Sequence, residues 1–284
     1  MIQASFIILV HIIAAMLLGW LYFRRYTMTR VPIGVFNLTD IAIMIGMVIL
    51  VPFLYLLLPI WIVASLLTLA SLSILYFIWE SILRSTWAVW LVTILLIGAD
   101  LITALLPNID HIWFFIFNNI ILVLTVVGVT NLWAQSGMKA RDAAILGGAL
   151  AIYDLIATSI LPLTNNLFSR LAKLPFVPEL AWPLNTAGEW LSIGLGDLVL
   201  VTVFPLVMRK AFGRTAGIFA MIIGLGAISL LIVGLIFHLL VGTFPVMVVL
   251  GPLMIFQYIY WYRRKQQERT TWQYLQAEPF EIRQ

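Results

Sequence analysis

The chain has 284 residues, of which 63% are hydrophobic and only 10% charged. A soluble domain carries about 25% charged residues, so this composition excludes a water-facing globule and makes the bilayer its solvent. There is no cysteine, which excludes disulfides and thiolate metal sites. The net charge of +4 says less than the placement of the charges.

A spanning helix needs about 20 mostly apolar residues. The sequence predicts nine, over 4–23, 40–58, 61–79, 87–106, 113–133, 143–162, 188–208, 215–240 and 244–262. Barrel strands are shorter and alternate in polarity, which these runs do not. The expected architecture is an all-α membrane protein of one polytopic domain. Helices one to six occupy 1–162, a loop follows at 163–187, helices seven to nine fill 188–262, and a tail runs over 263–284. Tryptophans such as Trp20, Trp61, Trp79, Trp113 and Trp261 fall at span ends, as an interfacial aromatic belt requires.

The first span is followed, not preceded, by Arg24, Arg25 and Arg30, so it reads as an anchor and not as a cleaved signal peptide. With nine spans, fourteen of the sixteen Lys and Arg fall on one face. Only Arg170 and Lys173, both in the 163–187 loop, fall on the other. The positive-inside rule then places the N-terminus and the 163–187 loop outside and the C-terminus in the cytoplasm. A compact chain without cysteine or extra domains fits a prokaryotic cytoplasmic membrane.

Charges within a span cost several kcal/mol and mark function more often than packing. Asp154 in Tyr153-Asp154 is expected midway along the sixth span. Asp197 in Gly194-Leu195-Gly196-Asp197 is expected midway along the seventh. The two spans run in opposite directions, so the carboxyls can meet at similar depth. Two carboxyls facing each other in low dielectric cannot both ionise cheaply. They hold one proton between them and titrate as a pair, the arrangement aspartic proteases use. One activates a water, the other protonates the scissile carbonyl, and neither metal nor cofactor is needed. Gly194 and Gly196 would let a substrate backbone come close. Pro245 and Pro252 mark a second loosened segment.

These residues resemble the presenilin and signal peptide peptidase family of intramembrane aspartyl proteases, which carries Tyr-Asp in the sixth and Gly-x-Gly-Asp in the seventh of nine spans. The resemblance implies that fold, Asp154 and Asp197 as the catalytic pair, and Tyr153, Gly194, Leu195 and Gly196 as the surrounding motif. The family's Pro-Ala-Leu at the ninth span, which helps bind substrate, has its counterpart in Pro245-Val246-Met247, where only the proline is kept. The orientation read from the charges is that of signal peptide peptidases. It implies substrate helices whose N-terminus is cytoplasmic. The expected partners are transmembrane-helix proteins and the lipid bilayer, with no nucleic acid, and a homo-oligomer is compatible with the sequence.

The rival reading is a proton- or cation-coupled transporter using Asp100, Asp154 and Asp197 as a relay, although no internal repeat of the transporter kind is visible. Asp100, in the fourth span, matches no motif and reads as an acid that bonds a neighbouring helix or faces water. Asp40 reads as an N-cap or first-turn acid at the second span, and Glu80 as interfacial. His11 and His238 have no ligand spacing. The glycines 147, 148, 217, 224, 226 and 234 read as helix-packing positions. The prolines of the 163–187 loop leave open that it pairs with an extended substrate strand.

Overall fold

The computed structural model describes residues 1–28, 36–106, 111–161, 163–172, 174–184, 190–240, 244–265 and 268. Arg30, Lys173, Arg269, Arg283 and nearly all of the tail beyond Lys265 lie outside them, as do parts of the 163–187 loop. The chain is mostly helical: α1 (Ile2–Arg25), α2 (Leu38–Leu57), α3 (Ile60–Ile82), α4 (Thr86–Leu105), α5 (His111–Gln135), α6 (Ala140–Asp154), α7 (Leu163–Leu171), α8 (Leu195–Phe212), α9 (Arg214–Ile236) and α10 (Met247–Lys265). A π-helical turn, Leu155–Ile160, prolongs α6, and β1 (Glu179–Pro183) and β2 (Trp190–Gly194) form an antiparallel hairpin before α8.

Among the described residues seven helices are long and apolar enough to cross a membrane: α1 to α5, α6 with its π turn, and α9. Their lipid-facing character is plain in α2, where Ile41 is the single buried side chain. Asn37 and Asp40 start that helix as a capping box, each side chain accepting from the other residue's amide at 2.9 and 2.8 Å. Asp40 is thus the first-turn acid of α2, at the third helical position. At the other end of α2, Arg170 of α7 donates to the carbonyls of Leu56 and Leu58, which the helix itself leaves unmet.

The nine predicted spans differ from this in two places. The segment expected to open the seventh span, 188–208, instead contains β2, and α8 begins only at Leu195. Ser192, Gly194 and Gly196 favour helix poorly, and pairing with β1 gives the extended backbone its partners. The remaining 18 residues of α8 carry Asp197, Arg209 and Lys210. The ninth span, expected over 244–262, is α10. It starts three residues later and ends in Arg263, Arg264 and Lys265.

α8 is the axis of the fold, and every residue from Leu198 to Phe212 is buried. Around it α1, α5, α6, α9 and α10 close one core, while α3, α4 and α5 close a second with Phe176 and Val177. Small residues set two crossings. A Cβ at Gly251 of α10 would stand 2.5 Å from the Gly147 carbonyl oxygen and 2.8 Å from Ala151 Cβ. A Cβ at Gly217 of α9 would stand 2.8 Å from the Pro205 carbonyl oxygen. Gly226, by contrast, has nothing within 4 Å of such an atom, so close packing does not explain it.

Candidate active site

Asp154 ends the regular part of α6. The π turn that follows brings Thr158 back over it, and Thr158 Oγ1 donates to Asp154 Oδ1 at 2.9 Å. Thr158 is itself 3.0 Å from Thr164 Oγ1, which donates to the Ala157 carbonyl. The other carboxyl oxygen, Oδ2, accepts from the Met247 amide at 3.0 Å. Met247 is the first residue of α10, and the first amides of a helix have no partner within it. Pro245 and Val246 therefore deliver a free N–H to the acid.

Asp197 is the third residue of α8, in its first turn and not at its middle, because the chain before it is strand. Asp154 and Asp197 line one cavity of about 540 Å³ and interact electrostatically across it. Among the described residues no hydrogen bond joins the two carboxyls. Among the described residues the rest of the lining is Thr158, Thr164, Ser192, His238, Val246 and otherwise chiefly apolar side chains, with no Lys or Arg. All five residues of β2 belong to it. No group of three or more His, Cys, Asp or Glu among the described residues could hold a metal ion.

The two motif glycines are not required by packing. Gly194 has φ −67°, and a Cβ there would meet only Asp197 Oδ2, at 3.5 Å. A Cβ at Gly196 would meet nothing within 4 Å. Gly194, Leu195 and Gly196 also line a second, apolar cavity of about 490 Å³ between α2, α3, α5, α6 and α8, so Gly194 is a wall shared by both. Tyr153 is half-buried against the core and lines neither cavity.

A set of buried polar residues positions the hairpin, and the sequence reading missed most of it. Asn119 of α5 donates to the Ala181 carbonyl at 2.8 Å and accepts from the Ala181 amide at 3.1 Å. Its neighbour Asn118 donates to the carbonyls of Val177 and Glu179 at 3.3 and 3.1 Å. Asp100 of α4, fully buried, accepts from the Phe176 amide at 2.9 Å and leaves Oδ1 without a partner. It does not line the cavity of Asp154 and Asp197. The Leu195 amide donates to the Pro178 carbonyl at 2.9 Å, which ties this frame to the motif. Glu179, opposite Gly194 in the hairpin register, is 1% exposed. Burial pushes its carboxyl up to about 7, with a Ser192 hydrogen bond pulling the other way. Two adjacent asparagines inside an apolar span were the available signal for this frame.

No protein-family model matches the sequence, and no curated protein matches it either. The functional reading rests on the residues and their geometry.

Proposed function

We propose that this protein is an intramembrane aspartyl protease that hydrolyses peptide bonds within transmembrane helices or signal peptides of other proteins. The observation that carries the proposal is the pair Asp154 and Asp197 on separate helices, facing one cavity that no described Lys or Arg lines. α8 and α10 would complete nine spans in a presenilin-like arrangement. The charge asymmetry would set the N-terminus outside and the C-terminus in the cytoplasm, as in signal peptide peptidases.

Asp154 is the better general base. Its two donors favour the charged form, each worth about 1.5–3 kcal/mol to an ionised group. The helix end near Asp197 offers an anion only about 0.3–1 kcal/mol. The shared proton then sits on Asp197. Asp154 takes a proton from water, the oxygen adds to the scissile carbonyl carbon, and Asp197 protonates the carbonyl oxygen to give a diol. Return of a proton to the nitrogen breaks the C–N bond, leaving a carboxyl and an amine. Gly194 and Gly196 leave room for the substrate backbone. β2 offers it a strand edge that no described residue pairs with.

A transporter relay through Asp100 is less favoured, because Asp100 holds Phe176 and stands outside the cavity. The deciding experiment is cleavage of a labelled transmembrane substrate in liposomes by the wild type, Asp154→Ala and Asp197→Ala. Cutting within the apolar segment by the wild type alone supports the proposal. Three inert proteins, tested with substrates of both orientations, would sink it.

A further inference from the structure

Far from the cavity, the buried guanidinium of Arg209 has no carboxylate partner among the described residues. Arg209 lies twelve residues beyond Asp197 on α8, about 18 Å along the helix at 1.5 Å per residue. It is 6% exposed, and its guanidinium carbon stands 4.5 Å from the centroid of the Trp20 ring. Gly217 makes the stack fit, since a Cβ there would lie 2.6 Å from Arg209 Cβ and 2.9 Å from Trp20 Cη2. Nε and Nη1 of Arg209 are buried and have no acceptor among the described residues. Its neighbour Lys210 is different, because Nζ donates to the Ala134 carbonyl at 2.7 Å, near the C-terminus of α5 where a cation is favoured.

The charges that act on Arg209 make its position worse. Arg24, at the end of α1, and Arg214, at the start of α9, lie near enough to repel it. Both are exposed, and no described carboxylate pairs with any of the three. A buried, unpaired cation with unmet donors costs several kcal/mol. Like charges converging on it add to that cost. An anion between the three would reverse every one of these terms, and Trp20 would hold the guanidinium plane fixed to receive it.

We propose that Arg24, Arg209 and Arg214 form a binding site for a phosphate-bearing anion, whose oxygens accept from Nε and Nη1 of Arg209. Two sources share that chemistry, an anionic phospholipid headgroup and free phosphate. The site lies where α1, α8 and α9 reach the end of the bundle away from the hairpin, the depth at which headgroups sit. The inference is independent of the proteolytic reading.

The test uses the full-length protein in nanodiscs of phosphatidylcholine with and without phosphatidylglycerol, and in detergent titrated with inorganic phosphate. The thermal midpoint is followed, and retained lipids are counted by native mass spectrometry. Phosphatidylglycerol or phosphate should raise the wild-type midpoint. Arg209→Gln and Arg214→Gln should each weaken binding about tenfold, the loss of one charge-assisted hydrogen bond. Arg214 is exposed, so its variant tests the site even where Arg209→Gln fails to fold. Arg25→Gln, an exposed arginine outside the cluster, should bind as the wild type does. A response to phosphatidylglycerol alone assigns a lipid headgroup. A response to both assigns a phosphate site open to solution. A wild type that responds to neither, or an Arg25→Gln protein that loses as much as Arg214→Gln, overturns the proposal.

Discussion

Replacing Asn119 by alanine should release the hairpin while leaving the helical bundle folded. Asn119 is fully buried and serves both backbone groups of Ala181, at 2.8 and 3.1 Å. Those groups point towards α5, away from β2, so no strand partner can take them over. Truncation strands one amide and one carbonyl where water does not reach, at about 1–3 kcal/mol each. The sum, roughly 2–6 kcal/mol, makes the undocked hairpin at least about 30-fold more populated. Asn118 keeps its bonds to Val177 and Glu179, so the change is local. Hydrogen exchange read by mass spectrometry should show protection lost over 179–183 and 190–194 and kept over 198–212. Cleavage should fall in parallel, because β2 leads directly into Asp197. Asn119→Asp is the comparator. It keeps an acceptor for the Ala181 amide but sets an oxygen against the Ala181 carbonyl, so it should fail nearly as badly. Wild-type protection across both strands in Asn119→Ala would refute the argument that α5 holds the hairpin.

Other outcomes follow from the same geometry. Thr158→Val removes one of the two donors to Asp154 and should lower kcat about tenfold, the worth of one such bond. Thr158→Ser should restore the rate, and an unchanged kcat in the valine variant would deny Thr158 that role. Gly251→Ala would drive a methyl to 2.5 Å from the Gly147 carbonyl oxygen. It should lower the thermal midpoint and carry the Met247 amide off Asp154, while Gly226→Ala should be silent in both assays. Glu179, raised by burial from an ordinary 4.5 to about 7, stays protonated when folded over a range where the unfolded chain has lost the proton. Stability should therefore fall by roughly 3 kcal/mol as pH rises through that window. Thermal midpoints of wild type and Glu179→Gln between pH 4.5 and 7 check this, and parallel curves would count against it.

The spans were legible wherever apolar length alone decides, as in α1 to α5 and α9, because a helix satisfies its own backbone and needs no distant partner. The hairpin was not. Residues 190–194 are apolar enough to read as the opening turn of a span. What holds them extended is a partner strand whose paired residues lie from seven (Pro183 opposite Trp190) to fifteen (Glu179 opposite Gly194) positions earlier. What holds the partner is Asn118 and Asn119, about sixty residues earlier in the chain. The same blindness put Asp197 at mid-helix, although its pairing with Asp154 across one cavity was the reading that motif and depth suggested. Asp100 was visible as an anomaly, but its job of fixing Phe176 depends on a contact 76 residues away.

A two-stranded sheet is a poor element to place inside an apolar bundle, because an open edge leaves backbone donors and acceptors without partners. The two edges of this hairpin differ. Asn118 and Asn119 occupy the outer edge of β1 from α5. No element among the described residues bonds the outer edge of β2, whose five residues all line the cavity of Asp154 and Asp197. The two glycines that follow are equally unforced, with space where their side chains would be. Folding alone would favour a filled cavity, a covered edge and alanine at both positions. The open edge and both glycines fall within residues 190–197, beside the cavity of the acid pair. An incoming extended peptide would correct each of them at once, by pairing with the edge, filling the space above the glycines and bringing its carbonyl between the carboxyls.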